Sequence, residues 1–184
     1  IESGCADFVT LGRAMHADPE FANKARDGRL DEICTCIACN QGCSDMHAQG
    51  LPTVCVVNTT TGKEREYAIR PVNSVKKVVV VGGGPAGMEA ARILALRGCA
   101  VTLFEKEEEP GGQMLLNRWL PGREEMAGHL AWLTAAATRI SLAKACGSRR
   151  SAAQASVGNS TLILAMLVSP GFAYAGSQCR LQHR

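Results

Sequence analysis

Val78-Val79-Val80-Val81-Gly82-Gly83-Gly84-Pro85-Ala86-Gly87 is the stretch from which the fold can be read. An unbroken β-branched run that leads straight into a G-x-G-x-x-G spacing predicts a buried strand, a tight turn and a helix. Gly82 permits the turn, Gly84 lets a pyrophosphate approach the backbone, and Gly87 lets helix and strand pack closely. The helix opens at Pro85 and Ala86, where N–H groups left free at a helix N-terminus would meet phosphates. It should run to Arg97, with Gly98 as its stop. Ala100 to Phe104 reads as a second strand ending at Glu105. A β-turn-α-β order with a short loop implies parallel strands joined by a right-handed crossover. Glu105 falls where an acidic residue binds adenosine ribose hydroxyls, and an acid there disfavours a 2′-phosphate. A Gly-rich turn with a purely structural role is the alternative.

Beyond Glu105, residues 107–113 read as a loop whose run of glutamates is a solvated surface. Asn117 to Gly122 continues irregular around Trp119 and Pro121. Glu124 to about Thr138 forms a helix with Met126, Leu130 and Leu133 on one side.

Upstream lies the second signal. Cys36, Cys39, Cys43 and Cys55 have the spacing C-x2-C-x3-C-x11-C. Thiolate ligands need sulfurs brought together by a tightly turning chain, and four of them suit either tetrahedral zinc or an iron–sulfur cluster. Two C-x2-C knuckles are the usual zinc pattern, so this spacing leans towards iron–sulfur and leaves zinc, and cysteines that are merely incidental, open. Cys34 reads as a spare thiol beside the site. Cys5, Cys99, Cys146 and Cys179 are isolated. His16, His47, His129 and His183 have no ligand or catalytic spacing, and no catalytic residue is assigned.

The 184 residues allow one or two domains, and the formal charge of +3 comes without a basic, aromatic-interleaved stripe, which argues against nucleic acid. That average hides a break. Residues 1–138 carry 14 basic and 17 acidic side chains, whereas residues 139–184 carry 6 basic and none acidic. The tail is therefore expected to be anomalous, either out-of-frame or disordered. Its apolar run Leu162 to Val168 is too short to span a bilayer as a helix and reads as a strand or an interfacial segment, so no membrane partner is expected. The opening Ile1-Glu2-Ser3-Gly4 lacks the pattern of a secretory signal. Clustered cysteines without such a signal point to metal binding in a reducing, cytoplasmic setting. The absent initiator Met points to a fragment.

Ala6 to Leu11 reads as a short strand ended by Gly12. Asp18-Pro19-Glu20 reads as a helix start, with Asp18 as cap, and the helix should reach about Arg26 before Gly28. Residues 58–76 look like a linker.

With these residues in view, the chain resembles the NADH:flavin oxidoreductase family that includes 2,4-dienoyl-CoA reductase and trimethylamine dehydrogenase. The resemblance covers Ala6 to about Thr138. It is most specific in Cys36-Ile37-x-Cys39-Asn40-Gln41-x-Cys43 with Cys55, running into the Gly-rich turn. It implies that Cys36, Cys39, Cys43 and Cys55 hold a 4Fe-4S cluster in place of zinc. It implies that Gly12 and Arg13 end the last strand of a TIM barrel and help hold an FMN phosphate. Gly82, Gly84, Pro85, Ala86, Gly87 and Glu105 would form the FAD side, and Gly111-Gly112-Gln113 would lie along the same cofactor. Asn58 matches a family Asn usually followed by Pro; here Thr59 stands instead. The parent activity would pass electrons from NAD(P)H through FAD and the cluster to FMN, for reduction of an activated alkene.

The expected fold class is α/β, a truncated Rossmann-like unit preceded by a cluster-binding segment and the last strand-helix unit of a TIM barrel. The expected divisions are 1–33 barrel remnant, 34–57 cluster segment, 58–76 linker, 77–138 N-terminal half of the nucleotide-binding domain and 139–184 tail. The chain alone is expected to lack a complete catalytic cycle. The alternatives are a non-catalytic metal- and nucleotide-binding piece and a zinc-stabilised interaction module.

Overall fold

The computed structural model describes residues 3–117, 119–138, 141–144 and 161–165. In chain order its elements are α1 (Arg13–Ala17), α2 (Phe21–Arg26), α3 (Met46–Ala48), β1 (Lys77–Val81), α4 (Pro85–Leu96), β2 (Ala100–Glu105), α5 (Met114–Asn117), α6 (Glu124–Thr138), β3 (Ser141–Lys144) and β4 (Thr161–Ala165). A 3-10 turn at Leu30–Glu32 and a π-helical turn at Gln41–Asp45 complete the regular structure among the described residues.

The four strands make one sheet in the order β3-β2-β1-β4, parallel at every pairing. β1 lies inside it. Val80 is in register with Leu103 of β2 on one side and with Leu164 of β4 on the other. The strand alternates in exposure, with Val78 and Val80 buried. That alternation follows from the period of two along a strand, because α4 and α6 cover one face. Val78, Val80, Met88, Ala91, Val101, Leu103, Leu130, Leu133 and Ala137 form the core there. Full burial of side chains such as Met88 and Leu103 contributes about 1.5–3 kcal/mol each.

The strand–turn–helix–strand reading around Gly82 agrees with this arrangement. α4 begins at Pro85 in the first helical position and ends before Gly98, whose φ is +85°. A chain at positive φ cannot continue a right-handed helix, and glycine adopts that conformation without steric cost.

Three expectations need correction. Ala6 to Leu11 is not a strand, and Phe8 is 92% exposed. A strand needs a neighbour to satisfy its backbone N–H and C=O groups, and this sheet is built entirely from residues after 76. A short helix, α1, follows instead. Asp18 does not cap α2 at its N-cap position, which Glu20 occupies. It is 4% exposed, and its Oδ1 accepts from the Glu20 N–H at 3.0 Å. Its Oδ2 accepts from the Cys34 N–H at 2.8 Å and from Lys24 Nζ at 2.7 Å. Thirdly, disorder does not hold for the whole tail: residues 141–144 and 161–165 pair as β3 and β4. The strand reading of the run from Leu162 agrees with β4 as far as Ala165. Residues 166–168, together with Cys146, Cys179 and His183, lie outside the described residues. No helix among the described residues is long and apolar enough to cross a membrane.

Candidate functional site

Cys36, Cys39, Cys43 and Cys55 line one hollow, together with Arg13, His16, Ile37, Asn40, Gly42 and Val54, Val56 and Val57. All four thiols are free and half-buried. The chain achieves this by turning twice in a few residues. Ala38 and Asn40, on either side of Cys39, both take positive φ, 52° and 58°. That conformation is uncommon for residues other than glycine, and asparagine tolerates it better than alanine. Asn40 then leads into the π-helical turn that carries Cys43.

Gly42 brings in the fourth cysteine. A Cβ on it would stand 2.5 Å from the Val54 carbonyl oxygen, and the Val54 N–H donates to the Gly42 carbonyl at 2.7 Å. Only a residue without a side chain lets the returning segment come this close and set Cys55 beside the others. The spacing of the cysteines did not reveal this glycine, although it stands next to Cys43.

The walls are tied to the elements around them. Arg13 Nη1 donates to Asn40 Oδ1 at 2.8 Å. The His16 carbonyl accepts from Asn58 Nδ2 and from Thr61 Oγ1, each at 2.9 Å. Asn58 therefore pins the segment after Cys55 to α1. With Thr59 following it, Asn58 Oδ1 is satisfied by the Thr60 N–H at 3.1 Å and hydroxyl at 2.7 Å. Gly12 precedes α1 with open space where a Cβ would be, whereas the Arg13 side chain turns to the cysteine loop.

The donor set is four thiols around a hollow, none committed to a disulfide. Among the described residues no three His, Cys, Asp or Glu side chains converge closely enough to hold a single metal ion. Four thiols around one hollow are a donor set for either a tetrahedral ion or an iron–sulfur cluster. The Ala38 N–H donates to Cys36 Sγ at 3.4 Å, a contact of the kind that tunes cluster potentials.

The second group of residues gathers at the carboxyl end of β1. Gly82, at φ +105°, donates its N–H to the Phe104 carbonyl at 2.8 Å. Gly83 donates to Glu105 Oε2 at 2.6 Å. Glu105 Oε1 accepts from the N–H groups of Lys106 and Glu107 at 2.6 and 3.0 Å. The acidic residue thus stands at the turn, bound to backbone. Gly84 is the N-cap of α4 and has open space where a Cβ would be. Gly87 has none, since a Cβ there would collide with the Gly82 carbonyl oxygen. Pro85 and Ala86 form the first turn of α4.

The loop after β2 folds back onto this turn. Gly111 donates to the Gly83 carbonyl at 2.7 Å, and a Cβ on Gly112 would lie 3.3 Å from Gly84 Cα. Gln113 follows, exposed, just before α5. Strand order supplies a further signal. β2 and β3 lie on one side of β1 and β4 on the other, so the sheet reverses its direction of growth at β1. In open α/β sheets ligands bind in the crevice at such a reversal, beyond the carboxyl ends of the strands. The reversal depends on β4, which lies in the tail and was not placed by the sequence.

A joint connects the two groups of residues. Trp132 Nε1 donates to the Glu32 carbonyl at 2.9 Å, and the His129 ring stacks on Trp132 at 5.4 Å. His129 Nδ1 lies 3.7 Å from Cys34 Sγ. Arg92 sits over Trp132 at 5.1 Å and pairs with Glu89 through two bonds of 2.7 Å. From the other side, Asp18 binds the Cys34 N–H and Lys24 Nζ reaches the Glu32 carbonyl at 3.0 Å. The segment entering Cys36 is therefore gripped between Asp18 and α2 on one side and α6, backed by α4, on the other. Burial pushes the Cys34 thiol up to about 12, and the nearby Asp18 charge adds to this. Burial likewise lowers His129, with Glu89 opposing. Cys34 is a structural thiol, and His129 is a packing residue that the sequence alone left without a role.

The model of the NAD(P)-binding Rossmann-like domain matches residues 80–138. The NADH oxidase of Thermoanaerobacter brockii is 45% identical over 141 residues, 76% of this chain and 22% of that protein. The metal reductase of Desulforamulus reducens is 42% identical over 125 residues, 68% of this chain and 19% of that protein. The solved structure of 2-naphthoyl-CoA reductase in complex with 2-naphthoyl-CoA matches with a TM-score of 0.74 at 38% identity. It covers 77% of this chain and 22% of that one. The chain thus spans about a fifth of the length of the curated relatives it matches.

Proposed function

Because this chain belongs to the NADH:flavin oxidoreductase family, over about a fifth of its relatives' length, we propose that it is the electron-relay segment of an iron–sulfur flavoprotein oxidoreductase. In the whole enzyme electrons would pass from NAD(P)H through FAD and a 4Fe-4S cluster to FMN, for reduction of an enoyl-type substrate. One observation carries the reading. Four free thiols surround one hollow, and the chain entering that hollow is gripped by α6, whose Trp132 carries Arg92 of α4, the helix that starts at the Gly-rich turn. A one-electron centre and a nucleotide site held on one rigid joint are what a relay requires.

Cys36, Cys39, Cys43 and Cys55 would hold the cluster. Gly82, Gly84, Pro85, Ala86 and Gly87 would receive the FAD pyrophosphate, with Gly112 and Gln113 alongside. Glu105 would exchange its bonds to the Gly83 N–H for ribose hydroxyls. Gly12 and Arg13 would face the FMN phosphate in the complete barrel, with residues 1–33 as its last unit. When bound, the flavin supplies two-electron chemistry and the cluster one-electron transfer. The protein's own contribution is to fix their separation and surroundings. A zinc-stabilised interaction module is the alternative reading of the same four thiols.

The test is iron and acid-labile sulfide content of anaerobically purified protein, with an absorption spectrum and an FAD titration. About four irons per chain, as a 4Fe-4S centre requires, with FAD binding, is the expected result. Zinc in place of iron would refute the relay.

A further inference from the structure

Arg13 stands where two hollows meet. It lines the four-cysteine hollow, and it lines a more open one with Gly12, Cys36, Ala38 and Glu125. Among the described residues no ion pair joins it to a carboxylate, although Glu125 faces the second hollow. Its Nη1 is instead committed to Asn40 Oδ1 at 2.8 Å. Asn40 follows Cys39 directly and holds the positive φ that lets the loop close.

We infer that Arg13 is a tuning residue for the cysteine centre, a cation fixed by Asn40 beside four thiolates so as to raise the reduction potential of the group they hold. The inference rests on the cluster reading given above. A centre ligated by four thiolates carries negative charge, and reduction adds one more. A neighbouring cation stabilises the more negative state by the larger amount, so it favours reduction. Arg suits the position because its guanidinium stays charged and presents five donors in a rigid fork. One donor can hold Asn40 while others remain for an anionic group in the second hollow. The Ala38 N–H on Cys36 Sγ acts in the same direction.

The test uses the full-length polypeptide that contains this segment, purified anaerobically, and reads the cluster midpoint potential by redox titration together with iron content. Arg13→Gln removes the charge but can still donate to Asn40. Arg13→Lys keeps the charge. Asn40→Gly keeps the positive φ but loses the acceptor. Iron content should be unchanged in all three, and midpoints are compared at equal FMN content, because Arg13 is also placed at the FMN phosphate. R13Q should lie lower by about tenfold in the one-electron equilibrium, roughly 59 mV. R13K should stay near the parent, and N40G should move in the direction of R13Q by a smaller amount. An unchanged midpoint in fully loaded R13Q overturns the inference, as does R13K falling as far as R13Q. Loss of iron from all three variants overturns it too, because the side chain would then be needed to hold the loop. Absence of iron from the parent protein refutes the cluster reading itself and is thereby distinguished from these failures.

Discussion

Gly84→Ala and Gly87→Ala exchange the same single methyl group and should have different consequences. At Gly84 a Cβ meets nothing within 4 Å and φ is −70°. An alanine fits there without strain, but its methyl occupies the space through which a pyrophosphate reaches the turn. At Gly87 the Cβ would collide with the Gly82 carbonyl oxygen. Relief requires α4 to move away from β1, and Val80, Met88 and Ala91 at that contact are wholly buried. Overpacking of this kind costs about 3 kcal/mol at the upper end of its usual range. That corresponds to a fall in Tm of about 12–24 °C for a unit of this size. G84A should leave Tm within about 4 °C of the parent, since surface changes without strain stay within about 0.5 kcal/mol. It should nevertheless weaken FAD binding roughly ten- to hundredfold, the value of one hydrogen bond to a charged group. Thermal unfolding by circular dichroism and FAD titration by flavin fluorescence, on both variants, separate the two effects. A stable G87A, or a G84A that binds FAD like the parent, would refute the assignment of these glycines.

Three further outcomes follow from the joint. Replacing Asp18 by Ala takes the carboxylate from Lys24 and leaves the buried Cys34 N–H without its acceptor; a loss of about 3 kcal/mol is expected, read as a shift in urea midpoint, and no shift would remove Asp18 from the joint. His129 is lowered when folded, so the unfolded chain binds more protons near its usual value of 6.5. Its contribution is therefore complete above about pH 6.5 and declines as pH falls through that value towards the folded one. Urea midpoints should fall between pH 7.5 and 5, and His129→Gln should flatten that slope. The Cys34 thiol, raised to about 12 and buried, should resist iodoacetamide at pH 8 in native protein while exposed Cys5 is alkylated. Peptide mapping that found Cys34 modified as fast as Cys5 would contradict its burial.

Much of the nucleotide-binding unit is legible from local chemistry. A β-branched run, three glycines at fixed spacing and a terminal Gly98 define β1, the turn and α4 through backbone sterics alone. Glu105 is legible for the same reason, because its distance along the chain fixes its place at the end of β2. The cysteine hollow is legible only as a list of sulfurs. Its shape depends on Gly42 against Val54 and on positive φ at Ala38 and Asn40, which spacing does not encode. The joint is invisible in the sequence because Glu32 and Trp132 are a hundred residues apart, and neither belongs to a motif. Ala6 to Leu11 misleads for the opposite reason: its local pattern is strand-like, but pairing is a property of neighbours that this sheet does not include.

The grip of α6 on residues 32–35 changes what the linker is for. Its ends are tied down, at Asn58 to the His16 carbonyl and at Val72 to the Arg97 carbonyl, while residues 62–71 between them are exposed. Trypsin cutting at Lys63 or Arg65 would sever the covalent path and leave the noncovalent one whole. The nicked molecule would then elute from a gel-filtration column as a single species. The connector serves as a leash that keeps two docked pieces at high effective concentration, so insertions or deletions in its middle can accumulate without altering the distance an electron has to cross.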